Sequence, residues 1–204
     1  MARREPRGEV GQNAENGEIV MSRLIMWNLM TLDGFFDGAE NWALDWHQYA
    51  WGEELERMSI EQLEVADMLL FGRVTYEGMA AYWKTAQGEV ATFMNSLPKA
   101  VFSRTLDKVD WQNTKLLKGD VKKEVEELKR AGEKNIFVFG SGDLSATLLE
   151  HGLFDEYRLC LVPVVLGSGK QLFGRKLSRM RMKLLESRPL ASGSLLLRYA
   201  PYAE

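Results

Sequence analysis

Eight short apolar runs, set apart by glycine-bearing turns and by segments of helical spacing, lay out this chain. Arg23–Met30 (RLIMWNLM) is apolar almost throughout, as a strand covered on both faces requires. Asp67–Phe71 and Lys99–Phe102 read as further strands, Asn113–Leu117 as a weaker one, and the run from Asn135 breaks at Gly140-Ser141-Gly142. Phe154–Val165, Met182–Leu190 and Ser194–Tyr199 complete the set, the last two as a hairpin through Ala191-Ser192-Gly193. Between them lie a helix running to about Ala66, one from Gly72 to about Trp83, and one over Gly88–Leu97. A fourth is capped by Asp120, with Val121, Val125 and Leu128 on one face, and ends at Gly132. A fifth has Asp143 as its expected N-cap, Leu144, Leu148 and Leu149 as its buried face, and Gly152 as its terminator. Early strands alternate with helices and late ones do not. The pattern predicts a mostly parallel sheet, covered on both faces, with an antiparallel edge.

Residues 1–20 are polar, glycine-containing and aperiodic, which predicts a flexible arm ahead of a single domain over 21–204; Met21 offers an alternative start. A net charge of −3 gives no electrostatic case for nucleic acid. The longest apolar stretch is far shorter than the ~20 residues of a spanning helix. Cys160 sits within a strand-like run and reads as a small buried residue suited to a reducing cytoplasm. With two histidines and no Cys or His cluster, no metal site is expected.

Two strand-to-helix junctions have the chemistry of anion sites. At Gly140-Ser141-Gly142, glycines permit close backbone approach and the first amides of the helix lack intrahelical acceptors, although a plain tight turn accounts for the motif equally. At Gly72-Arg73-Val74-Thr75 a guanidinium and a hydroxyl follow the strand, and a cation at a helix N-terminus is disfavoured unless an anion compensates it. A third strand runs into Ser103-Arg104-Thr105. Trp42, Trp46, Tyr49 and Trp51 crowd one segment and fill the core or line a pocket for a flat ligand. Other motifs fail: Gly167-Ser168-Gly169-Lys170 is followed by Gln171 where a phosphate loop needs Ser or Thr, Ser145 breaks a dinucleotide fingerprint, and no serine has the flanks of a nucleophile elbow.

Together TLDGFFDG, LLFGRVTYEGM, AVFSRTL, FVFGSGDL and LLEHGLFDEYRLCLVPVVLGSGKQLF resemble the dihydrofolate reductase-like superfamily, in particular the branch related to the C-terminal reductase domain of bacterial riboflavin-biosynthesis deaminase-reductases. The resemblance runs in order from Arg23 to Tyr199. It implies a three-layer α/β/α sandwich around a mixed eight-stranded sheet, commonly a homodimer, binding NADPH at the carboxyl ends of its strands. Gly72, Arg73 and Thr75 would hold phosphates of the adenosine half, Ser103 and Arg104 the 2′-phosphate, and Gly140, Ser141, Gly142, Asp143 and Leu144 the pyrophosphate. Thr31, Asp33 and Gly34 would lie beside the nicotinamide, with Asp33 orienting substrate or relaying a proton, or else forming the turn before Gly34. Gly34, Trp42 and Trp46 join Asp33 as the expected substrate contacts.

The implied activity is NADPH-dependent reduction of a small heterocyclic, carbonyl or imine compound, of the 5-amino-6-(5-phosphoribosylamino)uracil reductase-like type. The chain departs from both parent patterns. Phe35 stands where riboflavin-pathway reductases usually carry a basic residue, and Asp45, Glu53 and Glu54 are weak candidates for a pterin-holding carboxylate. A non-catalytic nucleotide-binding or sensor protein on the same fold is the alternative.

Overall fold

Strand β1 (Arg23–Thr31) alternates its side chains between two cores, and both neighbours run parallel to it, so it lies in the middle of the sheet. The computed structural model describes residues 21–174 and 177–202, and the arm expected over residues 1–20 lies outside them. After β1 come β2 (Phe35–Asp37), α1 (Glu53–Glu64), β3 (Ala66–Gly72), α2 (Arg73–Trp83), α3 (Glu89–Ser96), β4 (Lys99–Phe102) and β5 (Thr114–Leu117). Then follow α4 (Val121–Ala131), β6 (Asn135–Phe139), α5 (Gly142–Glu150), β7 (Glu156–Val162), β8 (Lys170–Gln171), β9 (Met182–Pro189) and β10 (Leu195–Pro201). The main sheet has eight strands in the order β5-β4-β3-β6-β1-β7-β10-β9, parallel from β5 through β7, with β10 antiparallel to both β7 and β9.

Ile25 and Trp27 face a core filled by α1, α2 and α3 through Leu55, Met58, Tyr76, Ala80 and Met94. Leu24, Met26 and Met30 face the other, filled by α4 and α5 through Val125, Leu144 and Leu148. The product is an α/β/α sandwich, with the expected strands at the expected places. Three local expectations change. The aromatic segment forms a short 3-10 turn at Asp45–Tyr49, and α1 begins only after Gly52, whose extended backbone separates the two. Strand β7 stops at Val162 because Pro163 has no N–H for the ladder. A second, two-stranded sheet pairs β2 with β8, where the sequence offered only loops.

Two buried charges fix the sheet. Lys99 is 1% exposed, and its ammonium donates to the carbonyls of Met94, Asn95 and Leu97 at 2.9, 3.1 and 2.7 Å, under the ring of Trp111. It thereby closes the carboxyl end of α3. Burial pushes this ammonium down to about 8, so it stays charged at neutral pH. Glu156 is fully buried at the start of β7 and accepts from Arg23, Arg158 and Arg198 at 2.7, 2.6 and 2.7 Å, linking β1, β7 and β10. Burial opposes its charge, but the guanidinium groups of Arg198 and Arg158 outweigh that and hold the carboxyl below its usual range.

A carboxyl depressed in the folded state stabilises at pH above its unfolded value and loses that contribution as pH falls through the folded one. Glu156→Gln leaves three arginines around a neutral amide. It is expected to cost about 3–5 kcal/mol at neutral pH. The gap to wild type should narrow once the pH drops well below 4.5. Urea unfolding of both proteins across that range checks it; equal stability at neutral pH would show that the cluster contributes nothing net.

Candidate active site

The carboxyl ends of β3 and β6 are stitched together by the residues that open their helices. Ser141 takes a left-handed backbone (φ 58°, ψ 51°), which places its hydroxyl to donate to Phe139 O at 2.8 Å and accept from Gly72 N at 2.9 Å. Its own amide donates to Thr75 Oγ1 at 2.9 Å. From β1, Asn28 Oδ1 accepts the Gly140 amide at 2.9 Å. Gly140 has a φ of 53°, and a Cβ there would meet Thr75 Oγ1 at 3.2 Å. The turn therefore needs its glycine for both conformation and space.

These contacts open a cleft of about 700 Å³ over the N-termini of α2 and α5, bordered by Gly72, Arg73, Thr75, Ser103, Arg104 and, from α5, Ser141 to Leu144. Residues from three separate junctions in the sequence thus share one surface. The first intrahelical bond of α5 is Ser145 N to Ser141 O, so the amides of Gly142, Asp143 and Leu144 stand ahead of it. A Cβ on Gly142 would come within 2.8 Å of the Phe36 ring. Arg73 is partly neutralised by Glu77 at 2.9 Å, whereas Arg104 is exposed and its side chain makes no ion pair with any described residue. Ser103 Oγ accepts the amides of Thr105 and Leu106, which shapes the Arg104 loop. Amides, hydroxyls and a free guanidinium suit a phosphate-bearing cofactor.

Next to the cleft, and sharing Phe36, Asp37, Val74 and Thr75 with it, is a smaller cavity of about 180 Å³. Trp27, Phe36, Trp42, Trp51, Trp83 and Phe139 bring six rings to its wall. Trp42 packs on Gly78 of α2, where a Cβ would lie 2.5 Å from the indole. Asn28 Nδ2 and His47 Nε2 are buried without a partner among the described residues. Burial pushes His47 down to about 4 against the pull of Asp37 and Asp45, so the ring is neutral at pH 7. Sequence reasoning passed over Asn28, His47 and Lys170. The signal for Asn28 was a lone amide inside an otherwise apolar strand.

Several expected site residues take other work. Trp46 is 1% exposed, turned into the core by the 3-10 turn, and does not border the cavity, whereas Trp42 does. Asp143 is not the N-cap of α5; Ser141 holds that position and Asp143 is an exposed first-turn residue that brings its amide to the cleft. Thr31, Asp33 and Gly34 border neither space. Thr31 Oγ1 donates to Asp33 at 2.6 Å and accepts the Phe35 amide, while Gly34, with a φ of 87°, turns the chain. Asp33 also accepts the amides of Leu166 and Gly167. The Thr31 hydroxyl chiefly holds its carboxyl below the usual range, outweighing an opposing desolvation, with the amides of Gly167 and Leu166 adding to the effect. A carboxylate so engaged is a loop clasp and a poor proton donor at neutral pH. Asp45, Glu53 and Glu54 are likewise absent from the cavity wall.

Asp33→Asn should therefore lower the melting temperature at neutral pH and speed amide exchange at Leu166 and Gly167. The difference should fade in acid, because a depressed carboxyl loses its contribution as pH falls through the folded value. Hydrogen exchange with mass or NMR detection reads this, and unchanged exchange at both amides would remove the clasp.

The model of the RibD C-terminal domain matches residues 22–196. The uncharacterized protein YyaP of Bacillus subtilis (strain 168) is 31% identical over 182 residues, spanning 87% of this chain and 94% of YyaP. Among solved structures, one assigned to a riboflavin biosynthesis protein of Shewanella sp. PV-4 superposes with a TM-score of 0.74 at 22% identity, over 89% of this chain and 99% of that one. Dihydrofolate reductase from Enterococcus faecalis, complexed with NADP(H) and RAB-propyl, superposes with a TM-score of 0.62 at 11% identity, over 89% and 97%. The fold is thus the one seen in dihydrofolate reductase, and no helix of the described residues is long and apolar enough to cross a membrane. By its sequence, the chain belongs to the RibD C-terminal domain family.

Proposed function

We propose that this protein is an NADPH-dependent reductase acting on a small heterocyclic, carbonyl or imine compound. One observation carries the reading: an amide-lined, arginine-bearing cleft adjoins an apolar, tryptophan-bearing cavity, the two sharing Phe36, Asp37, Val74 and Thr75 as wall residues. In this reading the cofactor, when bound, supplies a hydride to an electrophilic carbon of the substrate, and a proton from water completes the two-electron reduction. The chain contributes position and dryness. Amides at the start of α5 and the Thr75 hydroxyl hold phosphates, Arg104 answers the 2′-phosphate, and the indoles of Trp42 and Trp51 exclude water from the reacting face. The membership in a reductase domain family supports the same chemistry.

A non-catalytic nucleotide-binding role has one observation in its favour. The one carboxylate that the described residues bring to the cavity, Asp37, is already engaged by the Gly38, Trp42 and Ala43 amides and by Lys170 at 2.6 Å, so they offer no free acid there. Oxidation of NADPH with a pterin, pyrimidinone or quinone acceptor separates the two readings.

NADPH at 100 times its Kd is expected to add about 2.7 kcal/mol to stability, visible as a melting shift. Preference over NADH should be about tenfold or more, the worth of a charge-assisted contact to the extra phosphate. Arg104→Ala should remove most of that ratio, and Arg73→Ala less of it, because Glu77 already holds Arg73. Equal wild-type Kd values for the two cofactors would refute the Arg104 assignment; no melting shift with either would refute the cofactor.

A further inference from the structure

The cavity beside the cleft is unusually explicit about charge. Among the described residues its wall includes no lysine and no arginine, its one acidic residue is Asp37, and His47 is buried and uncharged at neutral pH. The Asp37 carboxylate is itself neutralised by Lys170 and three amides, so it does not call for a cationic ligand either. An anion moved from water into such a wall gains no compensating cation and meets a carboxylate at its edge. Of the polar side chains there, Ser59 donates to Leu55 O, Gln62 Oε1 accepts from Arg158, and Thr75 Oγ1 accepts from Ser141. Gln62 is likewise oriented by Arg158, and His47 Nε2 is also buried unpartnered, but Asn28 is the side-chain amide there whose held orientation leaves its donor buried without a partner among the described residues. Its Oδ1 is held by the Gly140 amide, which settles the amide's rotation, and its Nδ2 is left buried and unpartnered in a residue 5% exposed. Burying an N–H without an acceptor is costly, and a ligand acceptor would remove that cost. Size narrows the occupant further: dry apolar cavities of roughly 150 Å³ hold benzene, and this one measures about 180 Å³.

We infer that the cavity takes an uncharged, unphosphorylated single ring whose carbonyl or imine acceptor meets Asn28 Nδ2. This rests on the cavity being the substrate side of the proposed reductase. It separates the chain from any reductase whose substrate carries a sugar phosphate into this space, since a phosphate would have to be placed against Asp37 and six Phe and Trp rings.

Benzamide, benzoate and phenyl phosphate form a matched set for the test, titrated into the full chain with tryptophan fluorescence as the readout, without cofactor and again with saturating NADPH. Benzamide is expected to bind at least tenfold more tightly than either anion. Asn28→Asp keeps an oxygen for the Gly140 amide while replacing the donor by an acceptor, and is expected to weaken benzamide about tenfold; a cooperative thermal transition verifies that the variant is folded. Benzoate or phenyl phosphate binding as well as benzamide, no benzamide binding at millimolar concentration, or a folded Asn28→Asp variant with wild-type benzamide affinity would each overturn the inference. The cofactor reading fails separately, on the NADPH titration, because the cofactor-free arm reports on the ring site alone.

Discussion

The pair of contacts that Ser141 makes with Thr75 and Gly72 is what the candidate site hangs on. Two parallel strands that merely end side by side would leave two helices pointing from two unrelated loops. Here the hydroxyl of α2's first turn takes the amide of Ser141, and the hydroxyl of Ser141 takes the amide that precedes α2. The left-handed backbone at Ser141 is unfavourable in isolation by about 1 kcal/mol or more, and these hydrogen bonds over-determine it. With the Gly140 amide on Asn28, the ends of β3, β6 and β1 form one rigid rim. Rigidity of that kind is what positions amides for a ligand before it arrives.

Much of the fold was legible because parallel strands buried on both faces must be apolar throughout, and this chain has eight such or hairpin-like runs with glycine turns between them. Local chemistry was less legible wherever the outcome depended on rotation rather than composition. Trp42 and Trp46 are equivalent as residue types, but the 3-10 turn sends the second into the core and leaves the first against Gly78. Asp33 was singled out because the resemblance places it beside the nicotinamide, with a turn before Gly34 as the other reading, and it is engaged by the nearby Thr31 hydroxyl and by amides more than a hundred residues away, at Leu166 and Gly167. The β2–β8 pairing had no periodic signal, being too short for alternation to register.

The rejected Gly167-Ser168-Gly169-Lys170 motif illustrates a related point. Gly167 supplies a left-handed turn (φ 75°) and Gly169 close packing: a Cβ on Gly169 would lie 2.5 Å from the Asp37 carbonyl oxygen, and Lys170 then reaches the Asp37 carboxylate. The same residue types that cradle a phosphate elsewhere here fasten one loop to another. Only the neighbouring element distinguishes the two uses.

That fastening has a consequence for how the two spaces communicate. The β2–β8 ribbon lends Phe36 and Asp37 to both walls, so it acts as a partition common to two rooms. Any adjustment of the partition made by an occupant on one side changes the shape met by an occupant on the other. Thermodynamic linkage makes such coupling equal in both directions. Whichever molecule enters first, the affinity each lends or denies the other is a single number, and the ribbon, with Val74 and Thr75, is the surface that the two spaces have in common.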